Sequence, residues 1–499
     1  MRFIRLIIFS VFIAGLFTAC DDYLDVTPEN AVTFRKYFNN EQDMEVFVNG
    51  IRLDFKKLVQ GGFDQHVRGL IFDDGYSYLK RMAELDPNQY TVSNTFTNWH
   101  HPYYLVNSAN ILLQYYKKPG LELDRENFYK GIGHFYRGYA YGYIGKMWGD
   151  APIVRTSDDV GMKAKESWDK VIDFAIADAE EAVKLLPTID KLKDASGKSI
   201  LLRDTPSKEA AYALLAHLYA WKASLMNNDQ TLLDKAVAAA SEVIKSSNVE
   251  FAGSAEEVCT SVLVGGSTES IFESQLLAEE TPSINDYYTI GRYLSYPVDP
   301  SKGEGSIKWA GLRLKNTTVE AMYADGDSRR DAYFYKFDEM KAKDEAITGG
   351  FAYPYKMRRI KENERWKNIE YLLQNAVIYR LTDILLLRAE CYSKLPGKQD
   401  LAITDLDKVR GRANAPLYNA SEGDVQYAVY KERVKELLWE RHRYFDTVRN
   451  GYWKTELKGE FQNLTDQDVT DGALYLPVGR HAFTDNPLMT QNTYWLSKY

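Results

Sequence analysis

The chain has 499 residues, 45% hydrophobic and 26% charged, which is enough apolar material for a substantial core. Its 62 Lys and Arg against 70 Asp and Glu leave a net charge of −8, which argues against non-specific nucleic-acid binding. Three cysteines, widely spaced, make no disulfide framework.

The first predicted element is a secretory signal over residues 1–19. Arg2 and Arg5 precede an apolar run over 6–17, and the small pair Thr18-Ala19 follows, which is the charge, core and cleavage order of such signals. About a dozen apolar residues fall short of the ~20 that a spanning helix needs. Cys20 then stands where the mature chain would begin. With Leu16 and Ala19 flanking it, and Phe17 where a Leu is usual, the stretch resembles the lipobox of bacterial lipoproteins. Cys20 is therefore expected to carry lipid. Several acyl chains, at ~0.8 kcal/mol per buried methylene, suffice for stable membrane attachment.

Helices come next. "FYRGYAYGYIGKMW" (135–148) is predicted to stop at Gly149 and Pro152. "SWDKVIDFAIADAEEAVKLLP" (167–187) has Ser167 as its expected N-cap and Pro187 as its stop. Two helical pairs follow, "SKEAAYALLAHLYAWKASLM" with "LLDKAVAAASEVIKS", and "LTDILLLRAECYSKL" with "KQDLAITDLDKVRGRA". Ala216 and Tyr219 align with Ala389 and Tyr392, and Ala236, Ala240 and Val243 align with Ala402, Leu406 and Val409. The copies differ by seven residues, "NNDQTLL", assigned to a longer turn in the first. Small residues at crossing points in a unit of about 34 residues are the tetratricopeptide pattern. Cys391, on an apolar helical face, is expected in the core.

Between the pairs, at about 247–375, Gly265-Gly266, Gly303, Gly305, Gly349-Gly350 and several prolines break the pattern, and no 3.6 period persists. Such a loop-rich insertion is expected to carry function. A second irregular region, about 60–103, holds "FDDGYSYLKRM" and "NTFTNWHHPYY". With no linker in view, residues 20–499 read as a single domain. The fold class is mainly α, with tetratricopeptide-like helical repeats and one long insertion.

Together these segments resemble the SusD/RagB family of outer-membrane lipoproteins of Bacteroidetes. The resemblance runs through "CDDYLDVTPEN", "NWHHPYYLVNSANILL", "FYRGYAYGYIGKMWGDAPIV", "TVEAMYADGDSRRDAYF", "YRLTDILLLRAECYSKL", "AITDLDKVRGRA", "ERHRYFDTVRNG" and "LYLPVGRHAFTDNPLMTQN", in that order. Arg480 replaces an acid of the family's ending. The resemblance implies a lipid-anchored protein on the outer face of the outer membrane. Its partner would be a SusC-type TonB-dependent transporter and its cargo a nutrient, usually glycan and sometimes peptide. Asp21-Asp22 resembles the export signal of such surface lipoproteins.

A pyranose offers an apolar face and a rim of hydroxyls, so its site needs exposed aromatic rings and a few polar side chains. In family members the ligand lies on loops of the two irregular regions. From the first come Tyr76, Tyr78 and Trp99 for stacking, and Asp73, Asp74 and Arg81 for hydroxyls. From the insertion come Tyr287, Tyr288, Tyr293, Tyr296 and Trp309. Trp99 also suits a second role, as an apolar staple where a helix begins. No HExxH, GxSxG or GxxxxGK[ST] occurs, and adjacent His100-His101 do not converge on one metal. "DGDSRRDAYFYK" begins like a calcium loop, but Arg330 and Lys336 stand where Gly and Glu are required. A binding protein without catalysis, metal or cofactor is expected. The alternatives are a RagB-like peptide binder and a helical-repeat scaffold that docks protein.

Overall fold

The computed structural model describes residues 37–61, 97–276, 294–299, 302–362, 370–372, 374–484 and 486–498. Its frame is an array of helices. α1 (Glu41–Lys56), α2 (His100–Tyr115), α3 (Leu123–Trp148), α4 (Trp168–Leu185), α5 (Lys208–Leu225) and α6 (Gln230–Lys245) follow one another, each packed on the next. α6 then packs on α7 (Leu381–Lys394), which pairs with α8 (Gln399–Arg412), and α9 (Val425–Glu436) and α10 (Arg443–Arg449) complete the row. The mainly helical, repeat-like class is thus observed. Among the described residues, no helix is long and apolar enough to cross a membrane.

Local signals explain several helix ends. Gly149 ends α3 at φ 74°, a conformation that side chains with a Cβ rarely adopt. Ser167 occupies the expected N-cap position of α4 but makes no capping bond. The Asp150 carboxylate accepts from the Trp168 N–H instead, at 2.8 Å. A carboxylate at a helix N-terminus also meets the positive end of the dipole, which favours it over a neutral hydroxyl.

The two matched pairs are both helical hairpins, and their turns are the same length, 226–229 and 395–398. The seven extra residues lie in the helices rather than the turn. Ala216 stands nine residues before the end of α5 and Ala389 five before the end of α7, while Ala236 and Ala402 stand six and three residues past the starts of α6 and α8. Asp229 accounts for the three on the α6 side. Its carboxylate accepts from Leu232 N at 2.9 Å and starts α6 at Gln230, three residues before Leu233, whose side chain is buried. Asn227 and Asn228, both at positive φ, make the turn. Ala216, Ala240, Ala389 and Ala402 are all buried at the contacts.

Within the insertion, after a short helix (Ala255–Glu257) and a π-turn (Val258–Val262), one antiparallel ribbon brackets residues 275–375. β1 (Ser270–Ser274) pairs with β6 (Ala376–Arg380), Ser270 opposite Arg380 and Ser274 opposite Ala376, and β6 runs directly into α7. Between them lie short helices and two smaller ribbons, β2 (Leu314–Lys315) with β3 (Phe351–Ala352) and β4 (Ile360–Glu362) with β5 (Glu370–Leu372).

Buried ion pairs tie this insertion to the helices. Arg329 bonds Asp327 at 2.8 Å, Glu432, and Glu436 at 3.3 Å. Arg380 bonds Glu269, Glu436 and Glu440 at 2.7–3.0 Å, and Lys356 bonds Glu440 at 2.6 Å. Arg433 joins Asp383 to Asp446, and Arg449 joins Asp446 to Glu390. Every one of these side chains is at least nine-tenths buried. Many charges of the family-like motifs therefore serve the fold. Cys391 is buried as expected, as is Cys259, and burial pushes both thiols up to about 12.

Candidate ligand-binding site

Two similar runs build the exposed aromatic surface of the insertion, "AYFYK" (332–336) and "AYPYK" (352–356). They meet antiparallel at a bridge between Phe334 and Pro354, where Tyr335 N–H donates to the Tyr353 carbonyl at 2.9 Å and Tyr355 N–H to the Tyr333 carbonyl at 2.8 Å. Within each run one tyrosine is held and one is presented. Tyr333 and Tyr353 are 0% exposed, whereas Tyr335 and Tyr355 are half-exposed with ring centroids 5.2 Å apart.

Tyr296 adds a third ring, edge-on to Tyr335 at 6.1 Å and to Tyr353 at 6.4 Å. Its backbone N–H donates to Ser306 Oγ at 3.2 Å, which ties it to the 3₁₀ helix Glu304–Trp309. The Tyr353 hydroxyl donates to the Glu304 carbonyl at 2.9 Å, and Ile307 packs in the same small core as Tyr353 and Ala310. That anchored helix ends in Trp309, 67% exposed. Tyr296, Tyr335 and Tyr355 thus form one cluster of rings, and Trp309 stands exposed on the 3₁₀ helix to which that cluster is tied.

Charge borders the rings. The Arg358 guanidinium lies 4.3 Å from the Tyr355 ring centroid and Lys336 Nζ lies 5.6 Å from that of Tyr335. Lys336 also pairs with Glu339 at 3.0 Å, and Lys343 pairs with Glu304. Burial raises the Tyr335 hydroxyl and pushes Tyr353 up to about 12, so both stay protonated near neutral pH. The chemistry on offer is an apolar, electron-rich face with hydroxyl, cationic and carboxylate groups around it.

Trp99 is placed differently. It is 7% exposed where the chain enters α2, packed against Tyr103 at 5.4 Å and Trp148 at 5.9 Å. A ring enclosed in this way packs the core and presents no stacking face. Asp73, Asp74, Tyr76, Tyr78, Arg81, Tyr287, Tyr288 and Tyr293 lie outside the described residues, as does Cys20. Tyr335 and Tyr355 are absent from the expected set. Their one signal in the sequence is that the two runs "AYFYK" and "AYPYK" resemble each other, which marks the pair without saying which tyrosine of each is presented.

His100 stands 5.3 Å from His481, ring to ring, and among the described residues no group of three His, Cys, Asp or Glu side chains could hold a metal. In the calcium-like segment, Asp325 pairs with Arg330 and Asp327 with Arg329, so its carboxylates already face cations.

Two family models match the chain, one described as "SusD family" over residues 304–495 and one as "Starch-binding associating with outer membrane" over residues 22–220. Among curated proteins, SusD-like protein P38 of Formosa agariphila is 21% identical, covering 96% of this chain and 96% of its own length. SusD-like protein P25 of the same organism is 22% identical over 90% of each. A SusD homolog from Bacteroides thetaiotaomicron superposes with a TM-score of 0.76 at 20% identity, over 91% of this chain and 98% of that one. Surface glycan-binding protein A from the same species, solved in complex with laminarihexaose, gives 0.71 at 18% identity, over 91% and 100%. The structural likenesses concern the fold.

Proposed function

The chain belongs to the SusD/RagB family, and from that premise we propose that it binds oligosaccharide or polysaccharide at the outer-membrane surface. It passes this cargo to a SusC-type TonB-dependent transporter for uptake and performs no catalysis of its own. Acyl chains on Cys20 hold it to the membrane. The single observation that carries the reading is the ring cluster of Tyr296, Tyr335 and Tyr355, with Arg358 and Lys336 beside it and the exposed Trp309 on the 3₁₀ helix tied to it. Three half-exposed tyrosines and an exposed tryptophan on anchored elements suit a sugar's C–H face, while the border suits its hydroxyls. Support comes also from a family described as starch-binding and associating with the outer membrane, and from a protein of like fold, a surface glycan-binding protein, solved in complex with laminarihexaose. Asp73, Asp74, Tyr76, Tyr78, Arg81, Tyr287, Tyr288 and Tyr293 are proposed to extend the site.

Calorimetry on residues 21–499 with a panel of polysaccharides and short peptides tests this. One glycan is expected to bind saturably, and Trp309→Ala or Tyr355→Ala to weaken it by ~0.5–1.5 kcal/mol each, the usual worth of an aromatic contact beyond its area. Peptide binding with glycans silent would replace the glycan reading with the peptide one. Purification of the lipidated chain from native outer membranes is expected to bring a β-barrel transporter with it, and its repeated absence would remove the delivery step.

A further inference from the structure

A second cleft lies between α3, α5, β6 and the segment that joins α9 to α10, and it shares no residue with the tyrosine surface. Its volume is about 90 Å³, room for several water-sized groups. Tyr139, Tyr143 and Lys146 reach it from one face of α3, at the i, i+4 and i+7 positions. α5 contributes Trp221, and Phe445 closes the wall between Trp221 and Lys146, 6.2 Å from the indole and 5.5 Å from Nζ. Arg441 completes the lining from a residue at φ 71°, two positions after Trp439 at φ 63°. Two side chains with a Cβ held in the left-handed region so close together mark a segment whose conformation its surroundings impose.

The cleft is lined by groups to whose donors the described residues supply no acceptor. Trp221 is 2% exposed, and its Nε1 is buried without a hydrogen-bond partner among the described residues. Among the described residues, neither Lys146 Nζ nor the Arg441 guanidinium forms a hydrogen bond or ion pair. The carboxylates nearby are already taken. Asp446 accepts from Arg433 at 2.9 Å and Arg449 at 2.6 Å, Glu440 from Arg380 and Lys356, and Asp383 from Arg433 and His217 at 2.8 Å. His217 and His442 bring no compensating charge, since burial lowers both, His442 to about 4. Burial, with Arg449 adding repulsion, brings the Lys146 ammonium down to about 8.

We infer that this cleft binds a small oxyanionic group, a carboxylate or a phosphate, that accepts from Lys146, Arg441 and Trp221 Nε1. One acceptor group would satisfy three donors to which the described residues supply no acceptor, and the aromatic wall would flank whatever carries it. The site is separate from the glycan surface and stands whether or not that surface binds sugar.

The test is calorimetry on the full-length chain in detergent at pH 7 with D-glucuronate, acetate, inorganic phosphate and D-glucose. Glucuronate and acetate, or phosphate, should bind saturably while glucose does not reach this cleft. Lys146→Met should weaken that binding at least tenfold, and Trp221→Phe, which keeps the ring but loses the N–H, should weaken it several-fold. Tyr335→Ala and Tyr355→Ala should leave it unchanged, and circular dichroism melts should confirm that each variant is folded. If no anion binds, or if folded Lys146→Met and Trp221→Phe bind like the parent chain, the inference is overturned. Binding that weakens with Tyr355→Ala but not with Lys146→Met would place the anion on the glycan surface and overturn it equally. Retention of the carboxylates alone, or of phosphate alone, supports the cleft and identifies which oxyanion it takes.

Discussion

Glu436 is buried among Arg329, Arg380 and Arg412, and their guanidinium groups hold its carboxyl far below the usual range despite the burial. Replacing it by Gln removes the charge and leaves three arginines facing a neutral amide. The lost attraction exceeds the desolvation saved, because one partner of a buried network is removed rather than the network. Glu436→Gln is expected to cost ~3–5 kcal/mol, read as a lower urea midpoint with an unchanged slope. The tyrosine runs divide in the same way. Tyr333→Ala empties a fully buried site and should cost ~3–5 kcal/mol by analogy with other large aromatic truncations. Tyr335→Ala, two residues on and half-exposed, should cost ~1 kcal/mol or less while weakening glycan binding. A Tyr335→Ala variant that unfolds like Tyr333→Ala would show that the outer ring is structural.

α3 is the longest of the described helices, and its glycines set how closely its neighbours approach. A Cβ at Gly138 would lie 3.1 Å from the Ala175 carbonyl oxygen and 3.3 Å from Ala179 N, backbone atoms of α4 that cannot step aside. Alanine improves helix propensity by ~1 kcal/mol, but forced overpacking costs ~1–3 kcal/mol, so Gly138→Ala should destabilise. Gly50, in the middle of α1 with nothing within 4 Å of its Cβ position, is the control, where Gly50→Ala should stabilise by ~0.5–1 kcal/mol. Thermal melts of the two variants should move in opposite directions. Elements such as α3, α4 and the two hairpins were legible in the sequence because apolar residues recur at helical spacing over many turns. The extra helical turn around Asp229 was not, since capping acts through a single side chain that a periodicity average dilutes. The presented tyrosines were missed for a related reason. An isolated bridge between residues 334 and 354 is a pairing in space, and nothing local distinguishes Tyr335 from the buried Tyr333 beside it. Trp99 was legible as an aromatic at the start of a helix, but its inward turn depends on Trp148, far along the chain.

At the scale of the whole molecule, the buried charges make stability depend on pH in one direction. Asp383, Glu390, Glu432, Glu436 and Glu440 are all held below their ordinary values, each against its own desolvation, by the cations around them. Their contribution is present above the unfolded carboxylate range near pH 4 and is lost as pH falls below it. His217 and His442 are lowered by burial, so the unfolded chain takes up their protons first, and stability already declines below ~pH 6.5. The melting midpoint is expected to be flat between pH 7 and 8, to fall gently toward pH 5 and to fall steeply below pH 4. A midpoint that stays level down to pH 3 would contradict the ion-pair account.

The ribbon of β1 and β6 has an implication for how such a chain can diversify. Because Ser274 and Ala376 face each other across it, the intervening hundred or so residues leave and return through neighbouring positions. A segment with adjoining ends can be lengthened, shortened or exchanged as a cassette, since closing a longer loop costs only ~0.6 kcal/mol per doubling. The helical frame sets the terms of the exchange. Any replacement must supply an acid and an arginine where Asp327 and Arg329 meet Glu432 and Glu436, and a lysine where Lys356 meets Glu440, and beyond those moorings its ligand-facing side chains are free to change.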